Sequence, residues 1–409
     1  MKKFAKLSLA TSIALASFSC ANAQDLEQAI KNVDVSGTVA YRYNDYEENT
    51  GGLDDSSTSN NYKIAVNVKS QVNEDITANT RFIIGSDTAP VSLSTHDDGD
   101  ANVDMTLSEV NFTYTGIANT SITLGKQGLA TPFTLHRDAM GDEQTGTGIL
   151  AVTNVGPVTL AGAYFNQTNL GTSGDYLPKE NSSSTISLTD SNGDTINLPS
   201  TSNDDFGDKN IITAGAMLNI AGINADAWYI DMQDIFDAFT IGLSAKYNIG
   251  DVKLAPYARY TSLDLDNSSD DNKLWKLGMR ANMGIFGAHL GYGETDEEGG
   301  VTALDYSAAT GYDEHWNIAL SGISDASIVF ASVDAQVMPK LNVALKYTNL
   351  DTDSKSNSTD QEEIYTQLTY NMSKNLSTYV RFGQYEKKDD NNGDDIDSTR
   401  GRLQVQYSF

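Results

Sequence analysis

Hydrophobic and polar residues alternate along most of this chain, and the alternation predicts β-strands. The first clear example runs from Val33 to Tyr43, where apolar or aromatic residues occupy most odd positions and residues such as Asp34 and Arg42 lie between them. A period of two over this length indicates a strand with one apolar and one polar face. The pattern recurs to the end of the chain, so we expect an all-β protein.

Counting these segments predicts eighteen strands. Their expected spans are 33–44, 61–72, 75–86, 104–115, 120–128, 148–155, 157–168, 210–220, 222–232, 236–249, 251–265, 273–284, 285–295, 325–338, 340–350, 362–372, 375–387 and 398–409. The stretch 316–324 is strand-like but is assigned to a loop, because a nineteenth strand would place the Met338-Pro339 turn at the wrong end of the sheet.

Short and long connections alternate between these strands. The long ones are expected at 45–60, 87–103, 129–147, 169–209, 266–272, 296–324, 351–361 and 388–397, and the short 233–235 connection is an exception. Transmembrane barrels have this asymmetry, with short periplasmic turns and long external loops, whereas a soluble sandwich has no reason for it. The sequence therefore predicts a transmembrane antiparallel β-barrel.

The N-terminus has the features of a secretory signal peptide over residues 1–23. Lys2, Lys3 and Lys6 precede a short apolar run, and Ala21-Asn22-Ala23 is a small-residue cleavage site. A lipoprotein signal at Cys20 is disfavoured, because Ser17 stands where a Leu-like residue is expected. Cleavage after Ala23 would leave residues 24–409 as one barrel domain without cysteine, and hence without disulfides or thiolate metal sites.

The charge of the chain excludes some classes of function. Without the three signal-peptide lysines, 24 basic residues face 55 acidic ones, a net charge of −31. Such a chain is unsuited to nucleic acid, whose phosphates need basic patches, but it is compatible with attraction of cations. The four histidines are scattered, and no Ser/His/Asp constellation suggests an enzyme.

Basic residues recur on the face that must point away from lipid, since apolar residues have to face the hydrocarbon. In a closed barrel the first and last strands pair, which brings several of these residues together as a basic wall of the pore. The predicted wall comprises Arg42, Arg81, Arg259, Arg280, Arg381 and Arg402.

Three segments carry a family resemblance: LEQAIKNVDVSGTVAYRY near the N-terminus, LGKQGLATPFT, and GTGILAV. They resemble the major outer membrane porin of Campylobacter and related epsilonproteobacteria. The last strand, which ends at Phe409, also resembles the insertion signal of bacterial outer-membrane proteins. The resemblance implies an outer-membrane location, an eighteen-stranded trimeric barrel, a third external loop folded into the pore, and cation selectivity.

Inward folding would place the charged residues of 129–147 opposite the basic wall. Arg137, Asp138, Asp142 and Glu143 would then line the constriction, although Arg137 could instead brace the loop. Facing rows of opposite charge favour polar and ionic solutes, and acidic side chains favour cations. The resemblance also implies a calcium ion near the constriction, with Asp138, Asp142 and Glu143 as its candidate ligands.

We therefore expect a porin for passive diffusion of small polar solutes and cations. It would have no catalytic activity, lie among outer-membrane lipid and lipopolysaccharide, and form a homotrimer. Two alternatives stay open: a substrate-specific channel, and a surface adhesin that acts through its external loops.

Overall fold

A computed structural model describes residues 33–84, 91–93, 105–175, 187–189, 195–197, 206–266, 268, 271–312, 314–353, 358–389 and 394–409. The predicted signal peptide, residues 1–23, lies outside the described residues. So do most of the predicted 87–103 loop and parts of the loops at 169–209, 266–272, 351–361 and 388–397.

Eighteen antiparallel strands form the barrel wall within the described part of the chain. In chain order they are β1 Val33–Thr50, β2 Leu53–Gln71, β3 Ile76–Ile84, β4 Met105–Ile117, β5 Thr120–Gly128, β6 Thr145–Val155, β7 Val158–Thr168, β8 Ile211–Ile220, β9 Ile223–Met232, β10 Phe236–Ala245 continued by Tyr247–Ile249, β11 Val252–Leu265, β12 Asp271–Met283, β13 Phe286–Thr295, β14 Ala326–Met338, β15 Leu341–Thr352, β16 Thr359–Asn371, β17 Leu376–Asp389 and β18 Ile396–Ser408. The predicted strand count is confirmed, and 316–324 is a loop as expected.

Pairing of the first and last strands closes the sheet. The β1–β18 register runs from Thr38 opposite Ser408 to Thr50 opposite Ile396. Gly37 and Phe409 extend it with two reciprocal backbone hydrogen bonds of 2.9 and 3.0 Å. Closure leaves no unpaired sheet edge, as a strand-built membrane protein requires.

The two faces of the wall differ in polarity. In β10, Phe239, Ile241 and Leu243 point outward and are about half exposed, whereas the intervening Thr240 is buried inside. Exposed apolar side chains on a closed barrel form the surface that contacts hydrocarbon. No helix in the described ranges has the length and apolar character needed to span a membrane.

The first hairpin is longer than the sequence suggests. Residues 45–60 are not a loop: β1 and β2 stay paired up to Thr50 and Leu53, and only Gly51 and Gly52 form the turn. Both glycines have positive φ, 58° and 85°, which suits a tight hairpin turn and is strained for most other residues. The polar composition of this stretch reflects its position beyond the membrane, while its conformation is β.

Two loops occupy the barrel interior. One is the constriction loop, residues 129–144, and the other is the second inner loop, residues 296–325, of which residue 313 lies outside the described part. Backbone hydrogen bonds join them, from Leu304 to Phe133 (2.8 Å) and from Thr310 to Pro132 (3.0 Å). Only the first was expected to fold inward.

Apolar side chains hold these loops against the wall. Leu129 and Phe133 of the constriction loop pack with Leu304 against inward residues of β9 to β11, including Ile230 and Phe236. Tyr312, Ile318 and Leu320 of the second inner loop pack against inward residues of β12 and β14, among them Leu274 and Phe330. This side of the lumen is therefore a filled core, and the inner face of the wall is apolar there because the loops cover it.

Candidate pore constriction

Glu143 anchors the constriction loop to the wall. Its carboxylate accepts hydrogen bonds from Arg81 Nε (2.7 Å) and Nη2 (2.6 Å) and from Lys63 Nζ (3.0 Å). Burial disfavours its ionised form, but the hydrogen bonds from Arg81 and the charge of Lys63 outweigh that effect and lower the pKa of Glu143. The side chain is fully buried, so the prediction that Glu143 lines the open constriction is wrong.

The rest of the loop is pinned by its main chain and by Arg137. Lys63 Nζ also donates to the carbonyl oxygens of Asp138 (2.9 Å) and Gly141 (2.7 Å). Arg137 Nη1 lies 2.5 Å from Glu109 Oε1 on β4, so it braces the loop against the wall. Asp138 Oδ1 accepts from the backbone N–H groups of Met140 and Gly141, which closes a tight turn.

An acidic cluster forms where the two inner loops meet; its members are Asp138, Asp142, Asp175 and Asp305. Burial, together with the negative charges of Asp175, Asp138 and Asp142, raises the pKa of Asp305 to about 7. Asp175 Oδ2 also accepts a hydrogen bond from the backbone N–H of Tyr306 (2.9 Å). Each of the other three carboxylates therefore acts on Asp305, and the ionised groups contribute a negative potential around it.

An arginine triad, consisting of Arg42, Arg381 and Arg402, lies on the wall formed by β1, β17 and β18. Arg381 and Arg402 occupy directly paired positions of β17 and β18, and Arg42 on β1 is opposite Gln404, the next inward residue of β18. Arg42 and Asp138 attract each other electrostatically. The strand register thus brings these three arginines together on one stretch of the wall, and Arg42 is the member that interacts with a carboxylate of the constriction loop.

Trp316 of the second inner loop lies against the triad. The guanidinium carbons of Arg402 and Arg381 lie 5.2 and 5.8 Å from its ring centroid. Its backbone is held by Glu363 on β16, whose carboxylate accepts from Trp316 N (2.9 Å), Asn317 N (2.8 Å) and Asn317 Nδ2 (2.8 Å). Glu363 is thus the anchor of the second inner loop, as Glu143 is of the constriction loop.

The other predicted wall arginines are paired with acids. Arg81 is buried against Glu143 and does not line the open pore. Arg259 forms a two-pronged ion pair with Asp226, at 3.0 and 2.9 Å. Arg280 Nη2 lies 3.1 Å from Glu314 and keeps about half of its side chain exposed. Pairing removes most of the field that these residues could add to the lumen.

The implied calcium site does not fit the residues present. Both oxygens of Glu143 are taken by Arg81 and Lys63, and Asp138 Oδ1 is taken by two backbone N–H groups. In the part of the chain that the structure describes, no three His, Cys, Asp or Glu side chains converge as a metal site. Calcium needs six to eight oxygen ligands, and three of the candidate oxygens, both of Glu143 and Oδ1 of Asp138, already accept hydrogen bonds from protein donors.

Several contributors were missed from the sequence. Lys63, Asp175, Asp305 and Trp316 all sit at the constriction, and none was singled out as a site residue. Inward apolar residues such as Phe236 were a usable signal, because a lumen face should be polar unless a loop covers it. Trp228 shows the same point, because this large apolar side chain is buried in the same cluster on the inner face.

A closed eighteen-stranded barrel with its lumen narrowed by inner loops defines an outer-membrane channel of the porin type. Residues 1–409 match the model of the family described as Campylobacter major outer membrane protein. The chain belongs to this family and is an outer-membrane protein, so the resemblance in the sequence is confirmed.

Solved structures with the same fold come from Pseudomonas aeruginosa. The outer membrane protein OpdK matches with a TM-score of 0.67 and 14% identity, covering 92% of this chain and 99% of its own. OccK2 (OpdF) in complex with glucuronate matches with a TM-score of 0.66 and 13% identity, covering 92% and 98%. OpdK with vanillate matches with a TM-score of 0.66 and 15% identity, covering 92% and 99%. No curated protein matches this chain.

Proposed function

We propose that this channel is a water-filled diffusion porin for small hydrophilic solutes and ions, and that it prefers cations. The observation that carries the preference is the acidic cluster at the constriction, whose carboxylates raise the pKa of Asp305 and therefore act together. Carboxylates that create a negative potential at the constriction attract cations from the adjacent water. The positive charges of the arginine triad oppose this effect.

The outer entrance adds to the cation preference. A cavity of about 790 Å³ at the loop end of β1, β2, β17 and β18 is lined by six acidic residues: Glu47, Glu48, Asp54, Asp55, Glu386 and Asp397. Arg400 partly offsets them, because its Nη2 lies 3.1 Å from Glu48. Since charges are screened within about 8 Å at physiological salt, the entrance and the constriction act as successive and separate filters.

Planar-bilayer recording under a KCl gradient tests the proposal. Asp138→Asn, Asp142→Asn and Asp305→Asn together should move the reversal potential toward the chloride value, because the constriction loses three carboxylates and most of their negative charge. Asp251→Asn, in an exposed periplasmic turn, is the matched control and should leave it unchanged. An unmoved reversal potential in the triple variant would refute a constriction-based preference. Insertion as the proposed homotrimer gives conductance steps in groups of three.

A substrate-specific channel is the second candidate, and the arginine triad favours it. Glucuronate and vanillate, the ligands of the two Pseudomonas structures, both carry a carboxylate, which arginine binds well. Saturation of solute flux would distinguish this candidate from simple diffusion, in which flux rises linearly with concentration.

A further inference from the structure

We infer that the arginine triad is a binding subsite for the carboxylate group of small organic anions, with Trp316 as its positioning residue. The inference rests on the proposed function, because solutes must first enter the lumen. Arg42, Arg381 and Arg402 then bind a solute directly, in addition to their electrostatic effect on passing ions.

Neutral partners orient two of the guanidinium groups and leave their outer nitrogens available. Arg42 donates from Nε to Gln404 Oε1 (2.9 Å), and Arg381 donates from Nε to Gln367 Oε1 (2.7 Å). Among the described residues, neither arginine donates from Nη1 or Nη2. A guanidinium fixed at Nε with its remaining donors unused is prepared to bind a carboxylate.

The triad also has an excess of positive charge. In the described part of the chain, no carboxylate lies within 4.0 Å of a nitrogen of Arg42, Arg381 or Arg402. Arg381 and Arg402 nevertheless face each other across paired strands. Like charges at such positions repel each other, and a bound anion between them relieves that repulsion.

Trp316 holds the pair in place from the lumen side. Its ring contacts both guanidinium groups, and Arg402 is further fixed by Asn44 Oδ1 (2.7 Å) and the Tyr46 hydroxyl (3.0 Å). Arg381 also lies over the ring of Tyr379, 4.7 Å from its centroid. Aromatic faces accept guanidinium groups without neutralising them, so Arg381 and Arg402 are held in place and keep their charge.

The strand register continues this site around the wall to the neighbouring strands β16 and β15. Arg381 pairs with Gln367 on β16, and Lys346 on β15 pairs with Tyr365, the preceding inward residue of β16. Lys346, Gln367 and Arg280 line a cavity of about 360 Å³. A solute that leaves the triad therefore meets further cationic and amide donors along the wall.

Block of the KCl current by benzoate tests the inference, with benzamide as the uncharged match. Arg381→Gln combined with Arg402→Gln should raise the half-blocking concentration of benzoate about tenfold, the loss expected for one charge-assisted hydrogen bond. Arg259→Gln is the matched control, since Arg259 is a lumen arginine already paired with Asp226. Benzamide should not block any of these channels.

Trp316 is tested by rescue. Trp316→Ala should weaken the benzoate block, whereas Trp316→Phe, which keeps an aromatic face, should restore most of it. An unchanged half-blocking concentration in the double arginine variant, or an equal change in Arg259→Gln, would overturn the inference. Block by inorganic phosphate as strong as by benzoate would overturn the assignment to carboxylates. Loss of the KCl current itself would instead count against the proposed channel function.

Discussion

Replacement of Glu143 by Gln should release the constriction loop while the barrel stays folded. The carboxylate accepts three hydrogen bonds from two buried cations, Lys63 and Arg81, whose side chains are 3% and 7% exposed. Removing one partner of a buried ion pair costs about 3–5 kcal/mol, because the other charge is left uncompensated. At about 1.4 kcal/mol per factor of ten, the population with a displaced loop rises by roughly two to three and a half orders of magnitude.

The remaining contacts decide what that population looks like. Gln144 still donates to Leu304 O (2.8 Å), and Phe133 stays in its apolar cluster, so the base of the loop remains attached. The wall itself is a closed sheet and does not depend on Glu143. We therefore expect a larger mean conductance with frequent transitions between levels, and an unchanged mobility shift of the heated protein on a denaturing gel.

Single-channel recording in KCl measures both effects, with Glu74→Gln in an exposed turn as the control. The pKa of Glu143 is lowered below its usual 4.5, so the stabilisation by its charge is complete above that pH and is lost as the pH falls through the folded value. The wild-type channel should resemble Glu143→Gln only under strongly acidic conditions. A quiet, wild-type conductance from Glu143→Gln at neutral pH would show that the ion pairs do not hold the loop.

Two further predictions concern the second inner loop. Glu363→Gln replaces one carboxylate oxygen by an amide group, which cannot accept the backbone N–H bonds of the loop, so Trp316 should become more accessible to quenching by acrylamide. Glu362→Gln, which changes the outward-facing neighbour, is the control and should have no effect. Equal quenching in the two variants would argue against Glu363 as the anchor. Raising the pH from 6 to 8 should increase the cation preference measured from the reversal potential, because Asp305, with a pKa of about 7, gains its negative charge over that interval. Asp305→Asn should abolish the change. A pH dependence that persists in this variant would show that another group titrates.

The sequence predicted the wall far better than the lumen. Alternation with a period of two follows from the different polarity of the two faces, so all eighteen strands could be located from it. Pairing of the first and last strands then predicted that Arg42 and Arg402 lie on neighbouring strands. Arg81 has a similar local context, yet it is buried against Glu143. An inward arginine is exposed to the lumen or neutralised by a carboxylate depending on which loop covers it. The local sequence pattern does not contain that information.

The second inner loop illustrates the same limit. Its segment 316–324 reads as a strand because apolar residues such as Ile318 and Leu320 recur there. In the structure these side chains are buried within the lumen beside Phe330 of the wall. Burial of an irregular segment and burial of a strand select similar residues, so the apolar pattern alone could not assign 316–324. The position of the Met338-Pro339 turn excluded a strand there, but the packing of this loop inside the lumen appears only in the tertiary contacts.

The seam between β1 and β18 has a consequence for how the channel is made. Arg42 and Gln404 are 362 residues apart in the chain, so the pairing that joins them is among the most distant contacts the polypeptide forms. Pairings of such separation carry a high loop-closure entropy and form slowly. The arginine triad draws members from both sides of this seam, and therefore it does not exist until the barrel has closed. A barrel that has not yet closed would lack the triad. The rate at which benzoate block recovers during refolding would therefore measure the rate of barrel closure.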